Sequence, residues 1–365
     1  MPAKGEIETD RTWDVVVVGA GVPGLAIAWR AAQHGLRVVV IERDRPGSGA
    51  SSVAAGMLAP VTEADFGENE LLRLNLESAE LWPGFAAELE ERTGMPTGYV
   101  RCGALAVAVD RDDAEEYGRM HELQRALGLD ARRLVASEAR RLEPGLAPRI
   151  AGAIEAPDEA QADPVALIAA LERAVTDAGG EIRIARVTGL RTRGDRVVGV
   201  ETDAGAVDGG AVVLAAGAWS TALDPGVRVR PVKGQLLQLR TREGAPPLAR
   251  RIVRTPRCYV VPRPDGRVVV GATSEERGFD TTIDVGAVHR LLEAAWEVLP
   301  DVWELEFVRA LAGLRPATPD NRPLIGPSAR EGLFHATGHY RNGILLAPVT
   351  AARMLAALTG ERVAA

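Results

Sequence analysis

The stretch formed by residues 15–42 constrains the fold of this chain more than any other part of the sequence. It begins with four consecutive valines, which is the pattern of a strand buried on both faces of a parallel sheet. A G-x-G-x-x-G arrangement follows directly, and its glycines are Gly19, Gly21 and Gly24. An alanine-rich helical pattern to about Gln33, a second apolar strand and an acid, Glu42, complete the stretch. This order of elements predicts a dinucleotide-binding βαβ unit.

Each glycine of this turn has a separate physical role. Gly19 allows the sharp turn from strand to helix, Gly21 allows a pyrophosphate to approach the backbone, and Gly24 allows close helix–strand packing. The pyrophosphate lies at the helix N-terminus, where free N–H groups and the helix dipole favour an anion. The cofactor contacts predicted here are Gly19, Gly21, Val22, Pro23 and Gly24. A tight βαβ turn without a ligand is the alternative that the spacing alone leaves open.

Glu42 and Arg43 follow the second apolar strand and are predicted to contact the cofactor. An acid about 20 residues after the glycines accepts hydrogen bonds from ribose hydroxyls, and its charge argues against the 2′-phosphate of NADP. The following segment, rich in glycine, serine and alanine, predicts a loop that leads into a helix capped by Ser51 or Ser52. Its small side chains leave room for a flat part of the ligand, and the residues concerned are Ser51, Ser52, Ala55, Gly56 and Met57.

Composition excludes several classes of function. The 365 residues include 43 Lys+Arg and 50 Asp+Glu, and the resulting net charge of −7 argues against nucleic acid as the main partner. The two cysteines, Cys102 and Cys258, form no CxxC motif, so the cytoplasm is the expected compartment. The histidines show no paired metal-ligand spacing, so no metal is expected.

The sequence shows no pattern for export or membrane insertion. Residues 1–12 are polar and charged and lack the apolar region of a signal peptide, so they predict a disordered extension. No run of 18 apolar residues occurs, so no membrane anchor is expected.

The middle of the chain alternates between helical and strand patterns. Helices are predicted over 69–93, 113–127 and 165–178, the last of them capped by Asp163. Strand patterns cover 182–187, a hairpin over 196–207, and a run over 212–217 that reads VVLAAG and returns the chain to the first sheet. Residues expected beside the cofactor in this part are Val187, Ala216, Gly217 and Trp219. A buried strand that ends in a glycine turn is the alternative for the VVLAAG run.

The last third of the chain predicts a second domain. Interrupted, alternating strands over 229–271 indicate a largely antiparallel sheet, and a helix is predicted over 285–298. A glycine-bearing turn, residues 338–343, then enters an apolar helix over 344–358.

Six segments carry motifs that are specific when taken together. They are SSVAAGML at 51–58, PVKGQ at 231–235, CYVVPR at 258–263, VGAT at 270–273, GLRPATPDNRPLIG at 313–326 and GHYRNGILLAP at 338–348. With these motifs, the chain resembles the FAD-dependent D-amino-acid oxidase superfamily, and within it the glycine oxidases of thiamine synthesis. The resemblance runs from about Trp13 to Leu358.

The resemblance implies an α/β fold with two domains. The first is an FAD domain of the two-dinucleotide-binding type, with a central parallel sheet and helices, over about 13–85, 150–220 and 315–360. The second is a substrate domain with a mixed, largely antiparallel sheet, over about 86–149 and 221–314. A homo-oligomer, commonly a tetramer, is implied as well.

The resemblance also assigns roles to residues of the second half. Arg315 matches an arginine that binds the substrate carboxylate, Tyr259 matches a tyrosine that helps to hold it, and Arg341 matches a second arginine near the active site. The alternatives are structural arginines and a half-buried strand tyrosine. The cofactor contacts implied in this part are Arg315, His339, Arg341, Asn342, Gly343 and Ile344.

The implied activity is the oxidative deamination of glycine, sarcosine or small D-amino acids by hydride transfer from the α-carbon to flavin N5. O2 then yields H2O2, and the imine gives glyoxylate or serves thiazole synthesis. A neutral amine needs no general base, so His339 is interpreted as a turn residue rather than a base. Because residues 313–326 contain no cysteine, FAD is expected to be non-covalent, which weakens a sarcosine oxidase interpretation. A quinone-linked D-amino-acid dehydrogenase and a non-catalytic FAD-binding subunit are the alternatives.

Overall fold

The computed structural model describes residues 12–361. Its α-helices are α1 (Val22–Gln33), α2 (Asn69–Thr93), α3 (Arg111–Ala126), α4 (Ala136–Leu142), α5 (Pro164–Asp177), α6 (Ser220–Leu223), α7 (Val285–Val298) and α8 (Ala347–Thr359). The first strands are β1 (Trp13–Val18), β2 (Val38–Glu42), β3 (Met57–Leu58), β4 (Val100–Arg101), β5 (Ala104–Ala108), β6 (Arg132–Leu134), β7 (Gly152–Ala156), β8 (Ala160–Gln161), β9 (Glu181–Ile184) and β10 (Val187–Arg193). The remaining strands are β11 (Arg196–Thr202), β12 (Gly205–Leu214), β13 (Arg230–Arg240), β14 (Ile252–Arg254), β15 (Tyr259–Pro262), β16 (Arg267–Gly271), β17 (Glu306–Ala317), β18 (Leu324–Pro327) and β19 (Leu333–Thr337). The extension predicted for residues 1–12 lies outside the described residues, except for Thr12.

The first sheet is built around β1. Its strand order is β10–β11–β12–β1–β2–β9, and β19 pairs with β12 while β18 pairs with β19. β1 runs parallel to both of its neighbours, and Val17 pairs with Val40 of β2. Because successive side chains of a strand point to opposite faces, Val15 and Val17 join one apolar core, whereas Val16 and Val18 join another. The valine run is therefore buried on both faces, as predicted.

The helices of the first sheet confirm most of the sequence-based boundaries. α1 and α2 end at the predicted residues, and α1 packs against α5 and α8. Asp163 caps α5, because its carboxylate accepts hydrogen bonds from the backbone N–H groups of Val165 at 3.0 Å and Ala166 at 3.4 Å. α8 begins at Ala347, three residues after the predicted start, because the preceding turn continues to Leu346.

The second sheet is mixed and largely antiparallel, as the resemblance implies. Its strand order is β17–β13–β16–β15–β14–β5–β7–β6, and the β14–β5 pair is parallel. β7 lies in this sheet, although the sequence-based division near residue 150 placed it with the first sheet. β17 likewise runs across the division drawn at 314/315. Long-range pairing decides both placements, because β7 lies between β5 and β6, and β17 pairs with β13 along its whole length.

The predicted helix after Ser51 does not form. The structure has a single 3₁₀ turn, Ser51–Val53, which is followed by the short strand β3. Gly56 has φ +75°, and a Cβ there would lie 2.0 Å from the Ala162 carbonyl oxygen, so this segment follows an extended path that a helix cannot take. The Ser51 hydroxyl instead accepts a hydrogen bond from the Val22 N–H at 3.0 Å and so supports the start of α1.

Candidate active site

Two adjoining cavities lie beside the glycine-rich turn and between the sheets. The first, which we call the turn cavity, has a volume of about 910 Å³ including its open mouth, and is lined by Gly19, Gly21 and Glu42. The second, which we call the arginine cavity, has a volume of about 1030 Å³ including its open mouth, and is lined by Arg315 and Arg341. The two cavities share the residues Ala50, Ser51 and Ala215. A long ligand can therefore extend from one cavity into the other.

The glycine-rich turn has the geometry that a dinucleotide requires. Gly19 has φ +105°, and a Cβ there would lie 2.6 Å from the Ala215 carbonyl oxygen. A Cβ on Gly24 would lie 2.1 Å from the Gly19 carbonyl oxygen, so a side chain would push α1 away from the turn. Gly21 is the N-cap of α1 and lines the turn cavity without a side chain. An FAD pyrophosphate fits this cradle, because Gly21 lets an anion approach the backbone at the positive end of the helix dipole.

Glu42 ends β2 inside the turn cavity. Its carboxylate accepts hydrogen bonds from the backbone N–H groups of Ala20 at 2.8 Å and Asp44 at 3.2 Å, which fix its orientation. Beside it, the Arg43 guanidinium lies 3.5 Å from the ring centroid of Trp219. Both of these side chains line the cavity, together with the predicted residues Val187, Ala216 and Gly217. An adenosine fits here, with a carboxylate for the ribose and a flat surface for the base.

Arg315 lies on β17, and it lines the arginine cavity. Its Nη1 donates a hydrogen bond to the Thr273 carbonyl oxygen at 2.9 Å, which orients the guanidinium. Gly234 of the neighbouring strand β13 provides the space, because a Cβ at this glycine would lie 2.3 Å from Nη1 of Arg315. The planar, always charged guanidinium of arginine suits two-pronged binding of a carboxylate.

Tyr259 of β15 lines the same cavity as Arg315. Gly271 of β16 leaves room for it, since a Cβ there would lie 2.4 Å from the Tyr259 hydroxyl oxygen. Burial raises the pKa of the Tyr259 phenol, and the nearby charge of Arg315 partly opposes that rise. The hydroxyl is therefore protonated at neutral pH and can donate a hydrogen bond to a carboxylate.

The C-terminal glycine turn lines part of the arginine cavity. Tyr340 has φ +47°, and the Arg341 guanidinium lies 5.3 Å from the centroid of its ring. His339 is buried, and its Nε2 lies 3.0 Å from the Thr350 hydroxyl oxygen. Burial lowers the pKa of His339 to about 4, so the imidazole is neutral at physiological pH. This environment favours the interpretation of His339 as a turn residue.

Most of the predicted site residues line one of the two cavities. Those in the arginine cavity are Pro23, Ser51, Ala55, Gly56, Met57, Tyr259, Arg315, His339, Arg341, Gly343 and Ile344. Four predicted residues line neither cavity, namely Val22, Gly24, Ser52 and Asn342. Val22 and Gly24 are buried in α1, and Asn342 is buried in the turn before α8, where its N–H donates to the His339 carbonyl at 2.9 Å. The individual contacts with a cofactor or substrate stay predictions.

The sequence reasoning missed several residues of the arginine cavity, among them Glu63, Gly234 and Tyr340. Gly234 lies within the PVKGQ motif, but only the pairing of β13 with β17 brings it to Arg315. Tyr340 lies within the C-terminal glycine turn, so the motif gave a signal for it. Glu63 follows a segment of small residues and carries no motif of its own.

Comparison with known proteins places this geometry in a family. The profile of the family described as "FAD dependent oxidoreductase" matches residues 14–358. The chain belongs to this FAD-dependent oxidoreductase family. FAD is therefore the cofactor that the turn cavity and the arginine cavity would hold together.

Several relatives are similar over nearly the whole chain. A glycine oxidase from Geobacillus kaustophilus is 38% identical over 93% of this chain and 90% of its own length. A bifunctional protein ThiO/ThiG from Trichormus variabilis is 38% identical over 93% of this chain, which spans 52% of that longer protein.

Solved structures show the same architecture. The crystal structure of the Geobacillus kaustophilus glycine oxidase superposes with a TM-score of 0.91 at 36% identity, covering 97% of this chain and 96% of that one. An iminodiacetate oxidase from Chelativorans sp. superposes with a TM-score of 0.86 at 29% identity, covering 96% of each chain. Among residues 12–361, every helix is too short or too polar to cross a membrane.

Proposed function

We propose that this chain is an oxidase of glycine and other small amines, such as sarcosine and small D-amino acids. The observation that carries the proposal is the placement of Arg315 and Tyr259 in a cavity that adjoins a dinucleotide-binding turn. The names of the relatives support the substrate class, because glycine oxidases match nearly the whole chain.

The residues of the chain would bind and orient the substrate. Arg315 would hold the carboxylate through two parallel hydrogen bonds, and Tyr259 would donate a third. The α-carbon is then fixed in one position relative to the cofactor, and such positioning contributes much of the rate of a reaction of this kind. Bound FAD supplies the acceptor for a hydride from the α-carbon, and O2 then takes the electrons and leaves as H2O2.

The proposed reaction requires no general base from the chain when the amine is neutral. The α-carbon gives up its hydride most readily when the amine is neutral. Glycine then becomes an imine, which water hydrolyses to glyoxylate and ammonia. Because burial lowers the pKa of His339 to about 4, its imidazole is neutral and forms an uncharged, polar part of the cavity wall. Apolar side chains such as Leu236 and Ile344 line the same cavity and limit the access of water.

Several finer features belong to the same proposal. FAD is bound without a covalent link, because Cys102 is half-buried outside both cavities and Cys258 is buried in the core of the second sheet. A role in thiamine synthesis is supported by the match to the ThiO/ThiG protein. A cytoplasmic location is supported by the free state of both cysteines. A homo-oligomer, with a tetramer as the favoured form, and the division into an FAD domain and a substrate domain rest on the family resemblance.

The release of peroxide in air tests the proposal. The purified protein with bound FAD should produce H2O2 from glycine and sarcosine without an added electron acceptor. The same panel should include small D-amino acids and bulky L-amino acids, and we expect no peroxide from the bulky L-amino acids. Amine oxidation that requires an added quinone would instead assign the chain to the quinone-linked dehydrogenases. No oxidation of any amine would favour a non-catalytic FAD-binding subunit.

A further inference from the structure

A short segment beside the arginine cavity is held in place by side chains from distant elements, in addition to two local backbone hydrogen bonds, from the Glu63 N–H to the Ala59 carbonyl at 3.2 Å and from the Ala64 N–H to the Val61 carbonyl at 3.3 Å. This segment comprises residues 61–63, and we call it the 61–63 segment. The buried carboxylate of Glu159 accepts hydrogen bonds from the Val61 N–H at 2.8 Å, the Thr62 N–H at 2.7 Å and the Thr62 hydroxyl at 2.7 Å. Glu159 is only 2% exposed, so these three donors replace the water that its charge has lost.

The carbonyl groups of Val61 and Thr62 accept hydrogen bonds from two other side chains. Gln124 of α3 donates from its Nε2 to the Val61 carbonyl oxygen at 2.9 Å. Arg254 of β14 donates from its guanidinium to the Thr62 carbonyl oxygen. Side chains from three separate parts of the fold thus bind the N–H and C=O groups of two consecutive residues. Val61 and Thr62 therefore have few alternative positions, and the backbone of the next residue is restricted with them.

The residue that follows is Glu63, and its side chain lines the arginine cavity with Arg315 and Tyr259. The charge of Glu63 is close enough to contribute to the raised pKa of Tyr259, after the larger effect of burial. The cavity therefore has a guanidinium on β17, oriented by its hydrogen bond to the Thr273 carbonyl, and a carboxyl side chain on a segment whose backbone is held by distant side chains. An α-amino acid has a carboxylate at one end and an amine with N–H donors at the other, so a guanidinium and a carboxyl acceptor match both ends of such a substrate.

We propose that Glu63 is the specificity-determining residue for the amine end of the substrate, and that Glu159, Gln124 and Arg254 are the residues that position it. This inference rests on the proposed function, because it concerns the substrate of the same site. A carboxylate at this position accepts a hydrogen bond from an amine that retains an N–H and carries otherwise only hydrogen or a methyl group, as in glycine and sarcosine. It repels an amine that carries a second carboxylate, as in iminodiacetate.

The first test replaces the charge of Glu63 with a neutral group of the same shape, in Glu63→Gln. We expect the KM for glycine to rise about tenfold and the inhibition constant of iminodiacetate, measured against glycine, to fall about tenfold. FAD content and melting temperature should stay near those of the wild type, because Glu63 is half-buried at the cavity wall. An inhibition constant that is unchanged within twofold would overturn the assignment.

The second test separates positioning from general stability with two matched variants. Glu143 is another buried carboxylate that accepts hydrogen bonds from two consecutive N–H groups, those of Arg250 at 2.9 Å and Arg251 at 3.1 Å. Neither Arg250 nor Arg251 lines the arginine cavity. Glu159→Gln should raise the KM for glycine several-fold with little change in kcat and should weaken the discrimination against iminodiacetate. Glu143→Gln should leave both quantities unchanged, even if it lowers the melting temperature equally.

The double variant completes the test. If Glu159 acts through Glu63, Glu159→Gln should have no further effect on the inhibition constant of iminodiacetate once Glu63→Gln is present. Additive effects of the two substitutions, or equal effects of Glu159→Gln and Glu143→Gln on the KM, would contradict the positioning role. Wild-type protein that produces no peroxide from glycine would overturn the proposed function itself, whereas normal wild-type turnover with unchanged discrimination in Glu63→Gln would overturn this inference alone.

Discussion

Gly234→Ala tests the position of Arg315 without changing Arg315 itself. A Cβ at residue 234 would lie 2.3 Å from Nη1 and 2.4 Å from the guanidinium carbon of Arg315, whereas ordinary contacts begin at 3.4 Å. The guanidinium must therefore move by about 1 Å, which is within the reach of a flexible side chain. The movement removes the geometry for a two-pronged bond to the substrate carboxylate.

The expected magnitude follows from this displacement. A misplacement of about 1 Å in a positioning group can cost about 100-fold in rate, so we expect kcat/KM for glycine to fall about 100-fold. Removal of the Arg315 side chain altogether should cost about 2–5 kcal/mol, the range for one partner of a buried charge pair, and a 100-fold fall lies within that range. The free energy of unfolding should change by less than about 1 kcal/mol, because only a side-chain end has to move.

Steady-state kinetics, FAD content and thermal melting of the purified variant measure these quantities. Gly189→Ala is the matched control, since Gly189 lies in β10 and a Cβ there would have no atom within 4 Å. This control should keep wild-type kcat/KM. If Gly234→Ala retains kcat/KM within about threefold of the wild type, Arg315 does not anchor the substrate in the position described.

The remaining predictions concern the anchor, the cofactor and the dependence of stability on pH. Arg315→Ala should lower kcat/KM for glycine by roughly 30- to several thousand-fold at normal FAD content, and Arg315→Lys should recover only part of the loss, because an ammonium cannot make the two-pronged contact; steady-state kinetics measures both. Denaturation with acid or heat should release all FAD, and mass spectrometry of the chain should show no flavin adduct. Burial raises the pKa of Glu159 from 4.5 to about 7, so between these values the folded chain binds more protons than the unfolded chain. The free energy of unfolding should therefore fall as the pH rises from 4.5 to 7, by about 3 kcal/mol from this group, and chemical denaturation should show that Glu159→Gln has lost this component.

Local patterns predicted the parts of the fold that depend on residues close together in sequence. The βαβ unit was predictable because the valines, the glycines and Glu42 each meet a requirement within 28 neighbouring positions, 15–42. The capping of α5 by Asp163 was predictable for the same reason. The helix expected after Ser51 was wrong, because the Ser51 hydroxyl binds the N-terminus of α1 and Gly56 packs closely against Ala162.

The features that the sequence did not reveal depend on long-range pairing. The placement of β7 in the second sheet follows from its pairing with β5 and β6. The space that Gly234 gives to Arg315 follows from the pairing of β13 with β17. The position of Glu63 follows from hydrogen bonds that Glu159 makes to residues 97 and 98 positions earlier in the chain. No periodicity or spacing in the sequence encodes such contacts.

Anaerobic reduction of the bound flavin by glycine tests the central proposal most directly, because it needs no electron acceptor and reports on the site itself. The wild-type protein, loaded with FAD and mixed with glycine in the absence of O2, should lose its visible flavin absorption, and admission of air should restore the absorption with release of H2O2. Arg315→Ala with the same FAD content should keep its absorption at glycine concentrations that bleach the wild type. A wild-type absorption band that is unchanged by glycine, sarcosine and small D-amino acids would contradict the account.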